Sequence, residues 1–217
     1  MEEKMLITQA LDERDFLIKK ITDKITGFKA VDFAKHNETK TWGGRIDRKE
    51  YEEETKAAFQ QIQDLIRRYD RIEAAIVASN AVTIIKTSYG EYTVAAAIAL
   101  KNRLKNDPET KNSFEMHLMR KMQREYQNCM IEIKDKNSVL DVTAENMRFS
   151  ILGKDSKVKD DKPLEVVESY VRENKAELVD PLGIVAKLDE MNEKRHKLLK
   201  ELETQIKVSN ATTTITI

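Results

Sequence analysis

Residues 72–85 read Ile-Glu-Ala-Ala-Ile-Val-Ala-Ser-Asn-Ala-Val-Thr-Ile-Ile, and residues 202–215 read Leu-Glu-Thr-Gln-Ile-Lys-Val-Ser-Asn-Ala-Thr-Thr-Thr-Ile. Glu73, Ile76, Ser79, Asn80, Ala81, Thr83 and Ile85 recur as Glu203, Ile206, Ser209, Asn210, Ala211, Thr213 and Ile215. In both copies a helical apolar spacing gives way to a β-branched run. Asn tolerates the left-handed conformation that often ends a helix, so Ser-Asn-Ala suits the turn from helix into strand. The plainer reading is duplicated punctuation, with two equivalent exits into one small sheet. The sharper reading is a paired ligand site, in which Asn80, Thr83, Asn210 and Thr213 present polar groups about a pseudo-symmetric axis.

The rest of the chain is mostly helical in pattern. Ile7, Leu11, Ile18, Ile21, Ile25 and Phe28 mark a first helix from about Met5, with Arg14 intruding on its apolar stripe. A polar connection over 29–47 carries Trp42-Gly43-Gly44-Arg45. A second helix is expected from near Asp47 to about Ala78, folding back on the first as an antiparallel hairpin. Val82 to Ser88 reads as a strand, Tyr89-Gly90 as a turn and Glu91 to Thr93 as a return strand. Thr93 is placed to cap a third helix.

Pro108 fits a helix restart. Phe114, Leu118, Met122, Tyr126, Cys129 and Ile133 continue the apolar spacing. Thr143 is expected to cap a short helix that Gly153 stops, followed by a charged loop over 154–162 and a helix over 163–176. Asp180-Pro181 predicts the start of the last helix, with Val179 stapled onto Ile184. Thr212 to Ile217 has strand composition. The expected fold is therefore mainly α (α+β): long antiparallel helical hairpins with a small β-sheet formed by the strands that follow the two repeats. Three regions are expected: 1–137, an inserted helical segment 138–180 with the charged loop, and 181–217 packing back on the first.

Composition limits the function classes. Among 217 residues, Gly numbers 6 and Pro 3, too few turn formers for an all-β sandwich or a doubly wound α/β fold. The 38 basic and 38 acidic groups cancel, so a generic basic surface for nucleic acid is not expected. No apolar run approaches a membrane span and no leader pattern opens the chain. The lone Cys129 permits no internal disulfide, and a cytoplasmic, reducing setting is the simplest reading.

The inventory of reactive groups is poor. His36, His117 and His196 are scattered, and no paired Cys-x-x-Cys or His-Glu-x-x-His spacing exists. No catalytic residue, metal or cofactor is expected, and Cys129 reads as a buried thiol on an apolar stripe. Trp42 beside Arg45 offers an aromatic face next to a guanidinium, a pair able to stack on and pair with a nucleotide-like ligand. The plainer role for Trp42 is anchoring its loop. Arg14 and Arg195 on apolar seams each need a carboxylate, a carbonyl or an anionic ligand.

The order of helix hairpin, Ser-Asn-Ala-Val-Thr, strand–Gly turn–strand, Thr-Val-Ala-Ala-Ala-Ile-Ala-Leu-Lys and a last helix ending Ser-Asn-Ala-Thr-Thr resembles the septicolysin-like family of uncharacterised bacterial and phage proteins. The likeness covers roughly 4–136 and 181–217, including Ala10 to Leu17; the 138–180 segment departs from it. The family supplies no activity to transfer, and its lysin-like name finds no membrane-inserting stretch here. Stripes this long and narrow predict a homo-oligomer. The function expected is a non-enzymatic homo-oligomeric binding protein, of the kind a phage uses as an anti-defence sponge to sequester a small anionic nucleotide-derived signal. Its ligand-binding candidates are Trp42, Arg45, Asn80, Thr83, Asn210 and Thr213. Nucleic acid and membrane are not expected partners. The alternative is a structural or assembly protein, such as a virion or scaffold component, with no small-molecule ligand.

Overall fold

The computed structural model describes residues 3–37, 39–41, 46–105, 113–152 and 162–217. These form six helices and four short strands. In order they are β1 (Lys4–Leu6), α1 (Ile7–Gly27), α2 (Arg48–Val82), β2 (Ile84–Thr87), β3 (Gly90–Thr93), α3 (Val94–Leu104), α4 (Phe114–Leu152), α5 (Lys162–Asn174), α6 (Ile184–Thr212) and β4 (Thr214–Thr216). The fold is mainly α with small antiparallel β-elements. The chain divides into two compact units, one of Met1–Asn102 with Leu198–Ile217 and the other of Arg103–Lys197.

Both Ser-Asn-Ala segments end a helix and feed a strand. The two strands do not share one sheet, however. β2 pairs with β3 through a local turn, in the register Ile84↔Thr93 and Ile85↔Tyr92. β4 pairs with β1 from the other end of the chain, in the register Thr214↔Leu6 and Ile215↔Met5. The first residues were read as the opening of a helix because three residues carry almost no period. Their strand conformation is imposed by a partner some two hundred positions away, which local pattern cannot report.

The repeat extends beyond the quoted segments. The Thr83 amide donates to the Ser79 carbonyl at 2.9 Å, and the Thr213 amide to the Ser209 carbonyl at 2.8 Å. The Val94 amide donates to the Thr83 carbonyl at 2.8 Å, and the Ile7 amide to the Thr213 carbonyl at 3.0 Å. Each sheet thus hands its second strand directly to a helix. Burial follows the same correspondence. Ile72, Ile76 and Ile85 are buried in one copy and Leu202, Ile206 and Ile215 in the other. After the strands, Val94, Ala97 and Leu104 are buried at the spacing of Ile7, Ala10 and Leu17.

The core of the first unit shows how the copies combine. Met5, Ile7, Ala10, Leu17, Ile72, Ile76 and Ile215 form one buried cluster. Helix α2, which leads into β2, therefore packs on the sheet made by β1 and β4. In return, Glu201 of α6 accepts from the Ser88 amide at 2.7 Å and the Ser88 hydroxyl at 2.8 Å, at the β2–β3 turn. Helices α1 and α2 run antiparallel, with Arg14 beside Glu73 and Phe28 stacked on Phe59.

Several local expectations hold. Asp47 caps α2 by accepting from the Lys49 amide at 3.0 Å, and Thr93 caps α3 by accepting from the Ala96 amide at 3.2 Å. Others are corrected. Thr143 starts no helix: α4 runs unbroken through it, and its hydroxyl donates to the Val139 carbonyl one turn back. The expected boundary at 137/138 falls inside that same helix. Asp180 accepts from the amides of Leu182 and Ile184, so it closes a turn and α6 begins only at Ile184. Gly183, at φ +61°, makes that turn possible, and Val179 is exposed rather than stapled. Cys129 is exposed, not buried, as are all its neighbours over 127–132 of α4. The helix restart at Pro108, the stop at Gly153 and the charged loop up to residue 161 lie outside the described residues.

In the second unit, α5 packs along the last turns of α4. Asn137 clamps the chain after α5: its amide donates to the Ala176 carbonyl at 3.0 Å and its oxygen accepts from the Ala176 amide at 2.8 Å. Arg103 pairs with Glu115 at 2.7 Å, and the Arg195 Nε–H donates to the Leu104 carbonyl at 2.8 Å. The second seam arginine is thereby satisfied by a carbonyl.

Candidate functional site

The two helix exits are built alike. Thr83 and Thr213 are half-buried, and each hydroxyl faces the serine four residues back, Ser79 at 3.4 Å and Ser209 at 3.5 Å. Their backbones are committed to holding the strand that pairs beside them. Asn80 and Asn210 are half-buried on the last turn of their helices. The Asn80 amide oxygen is shielded from water and accepts no hydrogen bond among the described residues. A shielded carbonyl left without a donor costs about 1–3 kcal/mol, and among the four residues Asn80 carries that cost. Trp42 and Arg45 lie outside the described residues. Their flanks are joined, since the Thr41 amide donates to the Ile46 carbonyl at 2.9 Å and Lys40 bridges Asp47.

The arginines near the first sheet are occupied. Arg68 donates to Glu13 at 2.8 Å and pairs with Glu3 at 2.7 Å, tying the chain before β1 and helix α1 to α2. The Glu13 hydrogen bond is the largest cause of its raised pKa, partial burial opposes it, and Glu3 adds to it. For Arg14, burial acts against the charge, but the hydrogen bond and negative charge of Asp15 outweigh it and Glu73 contributes further, so its pKa is also raised. Both guanidiniums hold elements together, and neither needs an added anion. Among the described residues, no group of three or more His, Cys, Asp or Glu is placed to hold a metal ion, and no helix is long and apolar enough to cross a membrane.

The surface carries a further feature, made of apolar rather than polar side chains. On α4, Val139, Val142 and Phe149 are 66%, 61% and 71% exposed, and Val166 on α5 is 68% exposed. Between the two helices runs a groove of about 400 Å³ lined by Thr143, Met147, Ile151, Val166, Val167 and Tyr170. Single exposed apolar residues are ordinary, whereas several on two packed helices that also form an apolar groove are a candidate interaction surface. The spacing of Val139, Val142 and Phe149 is present in the sequence, but a helix start at Thr143 divides it between two elements, whereas α4 carries all three on one continuous helix. Comparison with family models, curated proteins and solved structures finds no match for the chain.

Proposed function

We propose that the protein is a non-enzymatic binding protein that works as a homo-oligomer and holds a small anionic, nucleotide-derived ligand, in keeping with a sequestering role of the anti-defence type in a phage-infected cytoplasm. The observation that carries the self-association is the uncovered apolar surface of Val139, Val142, Phe149 and Val166. Burying side chains of this kind against a second copy contributes about 1.5–3 kcal/mol each before the costs of association. The Asn80 oxygen supports a ligand role, because a donor from a bound molecule would satisfy it. The Trp42–Arg45 pair remains part of this reading through its stacking and pairing chemistry.

The same apolar surface also favours the second reading, an assembly or scaffold protein with no small ligand. The two separate on one experiment. Native mass spectrometry of protein purified from cells shows a defined oligomer carrying a reproducible extra mass if the binding reading is right. Trp42→Ala, Arg45→Ala and Asn80→Ala variants then lose that mass. A clean oligomer of high order with no added mass selects the assembly reading.

A further inference from the structure

The last turns of α2 are apolar on both sides. Ile72 and Ile76 belong to the buried cluster of the first unit. On the opposite side Ala74, Val77, Ala78, Ala81 and Val82 recur at the spacing of one helix face. All five are exposed among the described residues, Val77 at 58% and Val82 at 76%. Ile84, which opens β2, is 59% exposed. Helix α3 starts beside this helix end, because the Val94 amide donates to the Thr83 carbonyl at 2.8 Å and Ile84 pairs with Thr93. Its Ala95, Ala96 and Ala99 are exposed as well. A helix that is apolar all round is normally buried all round.

The second repeat shows that the fold itself does not require this surface. Over 72–85 and 202–215 the two copies are buried alike, position by position, except that Ser79 is half-buried and Ser209 is buried. The buried positions are apolar in both copies, and the exposed ones differ. Thr204, Lys207, Val208, Ala211, Thr212 and Thr214 stand where the first copy has Ala74, Val77, Ala78, Ala81, Val82 and Ile84. Likewise Thr8, Gln9 and Asp12 of α1 stand, exposed, where α3 has Ala95, Ala96 and Ala99. With backbone and burial matched, one exit is dressed for water and the other is not.

We propose that this face of α2, β2 and α3 is a twofold contact with the same face of a second copy of the chain. Its exposed side chains carry neither charge nor hydrogen-bonding group, so when the face meets itself no like charges oppose and no polar group is stranded. Its ends carry both signs, Asp70 and Arg71 at one and Lys86 with Glu91, paired at 2.8 Å, at the other. An antiparallel twofold arrangement lays one kind of end beside the other, where either sign finds a partner and forms a polar rim. The exposed side chains present on the order of 500 Å² per copy, so the contact buries on the order of 1,000 Å² in total, the size at which an interface becomes specific. The contact rests on the homo-oligomer reading and adds to the α4–α5 surface a separate one in the first unit. Two twofold contacts on one chain carry assembly beyond a dimer.

The second exit supplies the test. Val77→Lys, Val82→Thr and Ile84→Thr install the residue types that the chain already carries at 207, 212 and 214 with the same burial. In sedimentation equilibrium of the full chain, wild type is expected above the monomer mass, and the triple variant about twofold lower with unchanged helix content. Val142→Asp with Phe149→Ser should keep this contact, and the two sets combined should be monomeric. On a Cys129→Ser background, a short bismaleimide should join Val82→Cys to a second copy and should not join Thr212→Cys, its counterpart at the other exit. A triple variant of wild-type mass overturns this contact and leaves the homo-oligomer reading standing, as does equal cross-linking at 82 and 212. A monomeric wild type overturns both. Flotation of that monomer with phosphatidylcholine vesicles, lost in the triple variant, would give the face to a lipid surface instead.

Discussion

Gly90 adopts φ +138°, a conformation that L side chains rarely take, at the turn between β2 and β3. The Gly90 carbonyl accepts from the Thr87 hydroxyl at 3.0 Å, so the turn is closed from both sides. Gly90→Ala should cost about 1–3 kcal/mol, read as a lower urea midpoint at unchanged slope. Strain sets this cost, since an added Cβ would meet only the Tyr92 hydroxyl, at an ordinary contact distance of 3.8 Å, and the ring carbon that bears it. Arg68 is a second position where one residue ties several elements. Arg68→Leu should destabilise by about 1–2 kcal/mol, and less in high salt, because its partners are partly exposed. The raised pKa sets the pH behaviour. The contribution is fully present below the ordinary arginine pKa and is lost only as pH rises through the higher folded value. Unfolding measured from pH 6 to 9 should therefore show the same loss for Arg68→Leu throughout.

At the scale of elements, the two Ser-Asn-Ala helices are equivalent in role, and the prediction is symmetrical. Ile72 and Leu202 are both fully buried at matching positions. Ile72→Ala and Leu202→Ala should each cost about 2–5 kcal/mol in chemical denaturation. A large cost at one and a small cost at the other would show that the repeat is not a repeat of structure. Most of this level was legible in the sequence. The repeat located both helix exits, and β-branched runs located β2 and β4. What the sequence concealed was pairing. β1 is three residues long and becomes a strand only because Thr214–Thr216 lies beside it. The split into two sheets follows from this, since β2 finds its partner across a tight turn and leaves β4 to the chain's other end. Helix caps were legible where a side chain accepts from the next amides, as at Asp47 and Thr93, and misleading at Thr143, whose hydroxyl bonds back into a continuous helix. The candidate site was legible only in part. An unpartnered Asn80 oxygen depends on which neighbours arrive, and composition carries no record of that.

At the scale of the whole molecule, Val139, Val142 and Phe149 of α4 and Val166 of α5 stand exposed among the described residues. Val142→Asp with Phe149→Ser should lower the mass found by light scattering while leaving helix content unchanged, because both side chains are already in water in the single copy. The same pair of changes made in a monomer would be nearly neutral. Native mass spectrometry of protein purified from cells without a denaturing step tests the central claim most directly. The account predicts a defined homo-oligomer that carries a reproducible added mass. A monomer with no added mass, at concentrations where the apolar surface would be occupied, would contradict it.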